Sequence, residues 1–171
     1  MKTYLFAAMS LDGFIATEKG DEDFLADEHW SEFKKIAKKT GCFIVGRKAY
    51  DAVNKWGDYG FDEIKALKII VSQNKDLKLK QNYLLANSPA EALQIAEGNK
   101  FKEVVVAGGG HLNSAFLDNN LIDEIVLTVE PCVLGKGISF FSNKDFSKKL
   151  KLNSCEKLKK GIVKLSYRII S

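Results

Sequence analysis

The stretch Val104-Val105-Val106-Ala107-Gly108-Gly109-Gly110-His111-Leu112-Asn113 decides the fold. An apolar run rich in β-branched residues predicts a strand buried on both faces. Three glycines break it, and Leu112 to about Asn119 has the pattern of a helix. Strand, glycine turn and helix together direct free backbone N–H groups and a helix dipole at whatever lies beyond the strand end. Two readings of the glycines stand side by side. They make either a tight strand-to-helix turn or a cradle for an anion that must approach the main chain without meeting Cβ atoms. The dinucleotide spacing G-x-G-x-x-G is not met, since Asn113 stands where a third glycine would fall, and no P-loop lysine follows.

The same alternation extends to both sides. Thr3–Met9, Cys42–Val45 and Leu67–Val71 read as further buried strands, and Tyr83–Ala86 as a shorter one. A helix is predicted from Asp27, as N-cap, to Lys39, with Trp30, Phe33, Ile36 and Ala37 on one face and Gly41 closing it. Ala49 to about Lys55 predicts a short helix. Ser88-Pro89-Ala90-Glu91 combines an N-cap serine, a proline at the first helical position and a capping-box glutamate. After Leu121 the period changes. Ile125, Leu127 and Val129 alternate with more polar neighbours, and Lys149–Cys155 and Ile162–Ile170 flank a turn at Lys159-Lys160-Gly161 as a β-hairpin. The expectation is one α/β domain over residues 1–171. It is a three-layer arrangement around a mixed, mostly parallel sheet of about eight strands, ending in an antiparallel hairpin.

Composition narrows the function classes. At 171 residues and 46% hydrophobic content the chain can bury a sizeable core. No apolar run approaches a membrane span, and Tyr4–Met9 leads straight into Asp12-Gly13 rather than a cleavage site, so a cytoplasmic protein is expected. The net charge of +4 comes from lysines dispersed among acidic residues, and only Arg47 and Arg168 are arginines. Such dispersion argues against nucleic-acid binding. Cys42, Cys132 and Cys155 are too far apart for a structural zinc or a disulfide framework, so no metal is expected.

Two other strand ends carry chemistry. Gly46-Arg47-Lys48-Ala49-Tyr50 lies between a buried strand and a helix start, where N–H groups and a guanidinium can hold a second anion. Two anion-type turns suit one elongated ligand with several phosphates, bound beyond the carboxyl ends of the strands. Met9-Ser10-Leu11-Asp12-Gly13 ends the first strand in the same way.

Ala7-Ala8-Met9-Ser10-Leu11-Asp12-Gly13-Phe14-Ile15-Ala16, Gly46 through Tyr50 and Gly108 through Phe141 resemble the dihydrofolate reductase-like family. The closer branch is the reductase domain of the riboflavin-biosynthesis deaminase-reductase. The most specific part is the glycine turn with its helix, followed by Leu121-Ile122-Asp123-Glu124, Pro131 and Leu134-Gly135-Lys136-Gly137. The resemblance runs nearly end to end. It implies an NADPH-dependent reductase of a small molecule, commonly a homodimer, with NADH left open as cofactor. It implies that Gly46, Arg47 and Lys48 lie near cofactor phosphates and Ser72 near the adenosine ribose. Gly108, Gly109 and Gly110 would line the pyrophosphate, with His111 and Leu112 at the helix start beside them. Ala8 and Ile15 would border the nicotinamide, and Asp12 would lie at the substrate end. Where riboflavin-pathway members carry glutamate before the glycines, this chain has Ala107, and Gln73 stands where a basic residue often follows Ser72.

A hydride acceptor needs a proton donor nearby, and Asp12 and Asp27 are the candidates. Asp27 also reads as a plain helix cap. Trp30 is either core or a stacking platform for substrate, and alternation in the strand before Pro131 turns Glu130 toward the pocket. Trp56, Tyr59 and Phe61 are candidates to cover the cofactor cleft. Two alternatives remain open here: a non-catalytic dinucleotide-binding protein of the same fold, and a lysine-rich protein that binds nucleic acid or a partner surface.

Overall fold

Strand β1 (Lys2–Ser10) runs through the middle of the molecule, because only its first side chain faces water freely. The computed structural model describes residues 1–56, 60–142 and 145–170. Parallel strands β6 (Glu103–Val106) and β7 (Glu124–Glu130) flank β1. Outside β6 lie β3 (Cys42–Gly46), β4 (Leu67–Val71) and β5 (Tyr83–Ala86), all parallel. Outside β7 come β10 (Val163–Ile170), antiparallel to it, and β9 (Lys149–Lys157) at the edge. The result is an eight-stranded mixed sheet in the order β5-β4-β3-β6-β1-β7-β10-β9. The expected α/β architecture with its antiparallel finish is what forms.

Period-two alternation sorts the core onto two faces. Tyr4, Phe6, Phe43, Val45 and Val105 point one way and pack beneath Phe33 and Ala37 of helix α1 (Asp27–Thr40). Leu5, Ile44, Val104 and Val106 point the other way. They meet Ala92 and Ala96 of α3 (Pro89–Gly98) and Phe116 of α4 (Gly110–Asp118). The short helix α2 (Arg47–Val53) adds Tyr50 and Val53 to the α1 side.

Several local expectations need correction. Ala26, not Asp27, is the N-cap of α1, without a side-chain hydrogen bond; Asp27 is already helical. Helix α4 begins two residues earlier than the periodicity suggests, because Gly110 is helical despite its poor propensity. Helix α2 likewise starts at Arg47, directly against β3. Strands β2 (Phe14–Ala16) and β8 (Ile138–Ser139) pair with each other outside the main sheet and are too short to show a period. Elsewhere the signals act as read. Ser88 Oγ accepts from Glu91 N at 3.1 Å, while the Glu91 carboxylate reaches back to Asn87 N at 2.6 Å. Gly41 closes α1 in the left-handed region.

Candidate active site

Strand β1, the turn after β6 and helix α2, which follows β3, meet at one open cleft. Its floor is Phe6, Ala7 and Ala8 of β1, and one wall is Ala107, Gly108, Gly109 and Asn113. Helix α1 supplies His29, Trp30 and Phe33 to the opposite wall; Ile15, Glu22 and Leu25 complete the rim. Parallel strands place their carboxyl ends together, so segments far apart in sequence meet here.

The two glycine turns touch. Gly46 N–H donates to Gly108 O at 2.8 Å, and Ala107 N–H to Ile44 O at 2.9 Å. The three glycines do three different things. Gly108 sits at φ +85°, where a side chain is disfavoured. A Cβ on Gly109 would meet nothing within 4 Å, so this position faces open space. A Cβ on Gly110 would lie 2.4 Å from the Ser139 carbonyl oxygen, so its missing side chain serves packing against β8. Beyond them the N–H groups of Gly110, His111 and Leu112 occupy the first turn of α4, where a helix has no acceptor of its own for them.

These residues fit a dinucleotide. Gly108 and Gly109 are bare on the cleft side, helix N–H groups lie beside them, and Asn113 Oδ1 is a buried acceptor left without a partner among the described residues. Asn113 Nδ2 is committed to Phe140 O at 3.0 Å. The orphan oxygen matches a donor such as a carboxamide NH₂ or a ribose hydroxyl. Ala8 and Ile15 line the same cleft. Arg47 and Lys48 are exposed at the start of α2, and the Arg47 Nε contacts Asp51 at 3.1 Å. Ser72 lies one residue beyond β4, whose Val71 is in register with Gly46; its Oγ accepts from Asn74 N. His111 is exposed and hydrogen-bonded to Ser142, and Leu112 is buried.

The carboxylates proposed from sequence have other duties. Asp12 accepts from Ser10 Oγ at 2.7 Å, Leu134 N at 3.1 Å and Gly135 N at 2.7 Å, which ties the turn after β1 to the loop after β7. The Ser10 hydroxyl, helped by the two N–H groups, holds its carboxyl below the usual range. A carboxylate held ionised in this way clamps the loop after β7 to the end of β1. Asp12→Asn should therefore lower the melting temperature at neutral pH. A depressed folded-state pKa adds stability above the ordinary value of 3.8 and loses it as pH falls through the folded value, so the gap between variant and parent should narrow in acid. Equal melting temperatures at neutral pH, or a gap undiminished in acid, would count against the clamp.

Asp27 is exposed and outside the residues that line the cleft. Glu130 also lies away from it. Burial raises its pKa, the Ala26 backbone donates to it, and Oε1 has no partner among the described residues. Trp30 does line the cleft, its Nε1 donating to Glu63 Oε1 at 2.7 Å while its ring packs on Phe33 and Phe61. Phe61 is a buried anchor at the cleft's base. Tyr59 and the Trp56 side chain lie outside the described residues.

Two cleft residues carry no signal in the sequence. Burial pushes the Glu22 carboxyl up to about 7. Burial also lowers the pKa of His29, whose Nδ1 lies 2.5 Å from the Ala26 carbonyl oxygen. A carbonyl only accepts, so Nδ1 carries the hydrogen and Nε2 of the neutral ring is an acceptor.

Residues 2–164 match the family described as the RibD C-terminal domain. The uncharacterized Bacillus subtilis protein YwjB is 29% identical over 168 residues, which cover 94% of each chain. Among solved structures, the Enterococcus faecalis dihydrofolate reductase complexed with NADP(H) superposes with a TM-score of 0.78 at 17% identity, covering 99% of this chain and 97% of its own. A Thermotoga maritima diaminohydroxyphosphoribosylaminopyrimidine deaminase/5-amino-6-(5-phosphoribosylamino)uracil reductase gives 0.76 at 19% identity, over 99% of this chain and 56% of its own. These likenesses show a dihydrofolate reductase-like fold.

Proposed function

Since the chain belongs to the RibD C-terminal domain family, we propose that it is a nicotinamide-dependent reductase of a small heterocyclic or carbonyl substrate. One observation carries the reading. Gly108 and Gly109 present open main chain to a cleft at the carboxyl ends of the central strands, tied at 2.8 Å to the second glycine turn. A reduced dinucleotide bound there supplies hydride; the protein supplies orientation and charge. Gly108, Gly109 and the first turn of α4 hold the pyrophosphate, Ala8 and Ile15 border the ring, and Asn113 Oδ1 accepts from the carboxamide or a ribose.

NADPH is the favoured cofactor. Arg47 and Lys48 are exposed at the start of α2 and Lys75 on the turn after β4, where they attract an additional phosphate. NADPH should raise the melting temperature more than NADH, and substrate should then cause loss of the reduced nicotinamide absorbance. No rise with either dinucleotide would overturn the reading. A rise without turnover on pterin, pyrimidine and carbonyl panels would favour a binding protein of the same fold.

A homodimer is part of the proposal. Edge strand β9 exposes Leu150 and Leu152, a surface suited to a second copy, and a solution mass twice the 19.1 kDa chain supports it. Among the described residues no helix is long and apolar enough to cross a membrane. The free cysteines, with Cys155 exposed, favour a reducing cytoplasmic setting.

A further inference from the structure

Residues 60–66, between α2 and β4, form a strap in which three successive side chains grip three different parts of the molecule. Phe61 is buried, its ring 5.2 Å from Phe43, 6.0 Å from Trp30 and 6.1 Å from Phe33. Asp62 reaches β5 and the turn before it, accepting from Tyr83 Oη at 2.7 Å and from Lys80 Nζ at 2.8 Å. Glu63 turns to α1. Its Oε1 accepts from Trp30 Nε1 at 2.7 Å and its Oε2 from Lys34 Nζ at 3.4 Å. The strap has little freedom to slide. A Cβ on Gly60 would lie 2.6 Å from Val53 Cγ1, Ile64 is buried, and the Lys68 ammonium donates to the carbonyl oxygens of Ile64 at 2.8 Å and Ala66 at 3.2 Å.

What the strap holds is a ring with room to turn. Phe6, Phe33 and Phe61 line the cleft at 4%, 3% and 5% exposure, so packing fixes them. Trp30 lines it half-buried, with its ring on Phe33 and Phe61 and its N–H on Glu63. The Trp30 N–H, with Lys34 beside it, holds the Glu63 carboxyl below the usual range, so the acceptor is charged and the bond is of the stronger kind. Lys34 stands four residues beyond Trp30 on the same helix, and one carboxylate therefore spans both. An exposed ion pair of this type adds little stability. Its consequence is geometric: an indole tied at its N–H keeps one orientation.

We propose that Glu63 is a positioning residue for the cleft, which fixes the Trp30 indole from outside the lining and so sets the clearance a flat ligand finds between α1 and the glycine wall. Glu63 is not among the residues that line the cleft, so it acts only through Trp30. The proposal rests on the reading of this cleft as a ligand site and is independent of the hydride step. Without Glu63, water can satisfy the indole N–H but does not hold the ring. Glutamine in its place keeps an oxygen for the N–H and gives up only the Lys34 pair.

The test compares the full-length parent with Glu63→Ala, Glu63→Gln, Trp30→Phe and the double variant Trp30→Phe/Glu63→Ala. Ligand-free ¹⁵N NMR reads the indole directly. The chain has two tryptophans, and the indole signal lost in Trp30→Phe identifies that of Trp30. This signal should move and lose its heteronuclear NOE in Glu63→Ala, and stay near the parent's in Glu63→Gln. Calorimetric titration with pterin, in the presence of NADPH, reads the cleft. Affinity should fall about ten-fold or more in Glu63→Ala, as expected when a wall of the site is misplaced, and recover in Glu63→Gln. In the Trp30→Phe background Glu63→Ala should cost less than about two-fold, because the path through the indole is already gone. An unmoved indole signal in Glu63→Ala, or an equal loss of affinity in both backgrounds, would overturn the proposal. Failure of the ligand reading looks different: the parent would bind neither NADPH nor pterin, while the indole signal still followed Glu63.

Discussion

Replacing Gly109 by valine should abolish the NADPH-induced rise in melting temperature while leaving the ligand-free protein as stable as the parent. At a concentration about a hundred times Kd, a bound ligand adds about 2.7 kcal/mol to stability, and the variant should gain none of it. The protein has room where the side chain leaves the main chain, because a Cβ at this position meets nothing within 4 Å and φ is −74°. Only a ligand lying against the main chain would collide with it. Gly110→Ala is the contrasting control. Its Cβ would lie 2.4 Å from the Ser139 carbonyl oxygen, so β8 or α4 must move, at a cost of about 1–3 kcal/mol. Thermal scans of both variants with and without NADPH decide the matter. A full NADPH shift in Gly109→Val would place the pyrophosphate elsewhere.

Phe43→Ala should be the most damaging core substitution. The ring is fully buried in β3, between Phe33 at 5.5 Å and Phe61 at 5.2 Å, in the layer that carries α1. Removing it leaves a cavity under two residues that line the cleft, with an expected loss of about 3–5 kcal/mol. Against a total of about 5–15 kcal/mol this is a large fraction of the fold's stability. Urea unfolding measures it, and a loss below about 1 kcal/mol would mean that the aromatic cluster collapses to fill the space. Because Phe33 and Phe61 form part of the cleft wall, the variant should also bind the ligand of that cleft less well even where it remains folded.

The parts of the site that sequence reveals are those made by one continuous segment. Val104 to Asn113 shows its strand, its glycines and its helix, and Ser88 to Glu91 shows its cap, because hydrogen bonding and backbone freedom there are local. Asp27 shows the limit of that logic. A capping residue type lies at the right place, yet Ala26 takes the cap position and the helix starts without a side-chain bond. Asp12 shows it more sharply: nothing in the sequence around this strand-end carboxylate tells of the N–H partners 122 and 123 residues away that it holds.

Sequence alone determined the alternating strands and helices, the two glycine turns at strand ends and the family they resemble, because period and turn chemistry are properties of neighbouring residues. The tertiary structure alone decided what each glycine is for, since Gly109 faces open space and Gly110 faces a carbonyl brought from 29 residues onward. It also decided which acid enters the cleft. Asp21, Glu22 and Asp23 are three successive carboxylates of one polar loop, and only the middle one is drawn in from solvent. That choice depends on how the loop lies over β1 and α1. Burial then raises the pKa of Glu22, and burial is set by the whole fold.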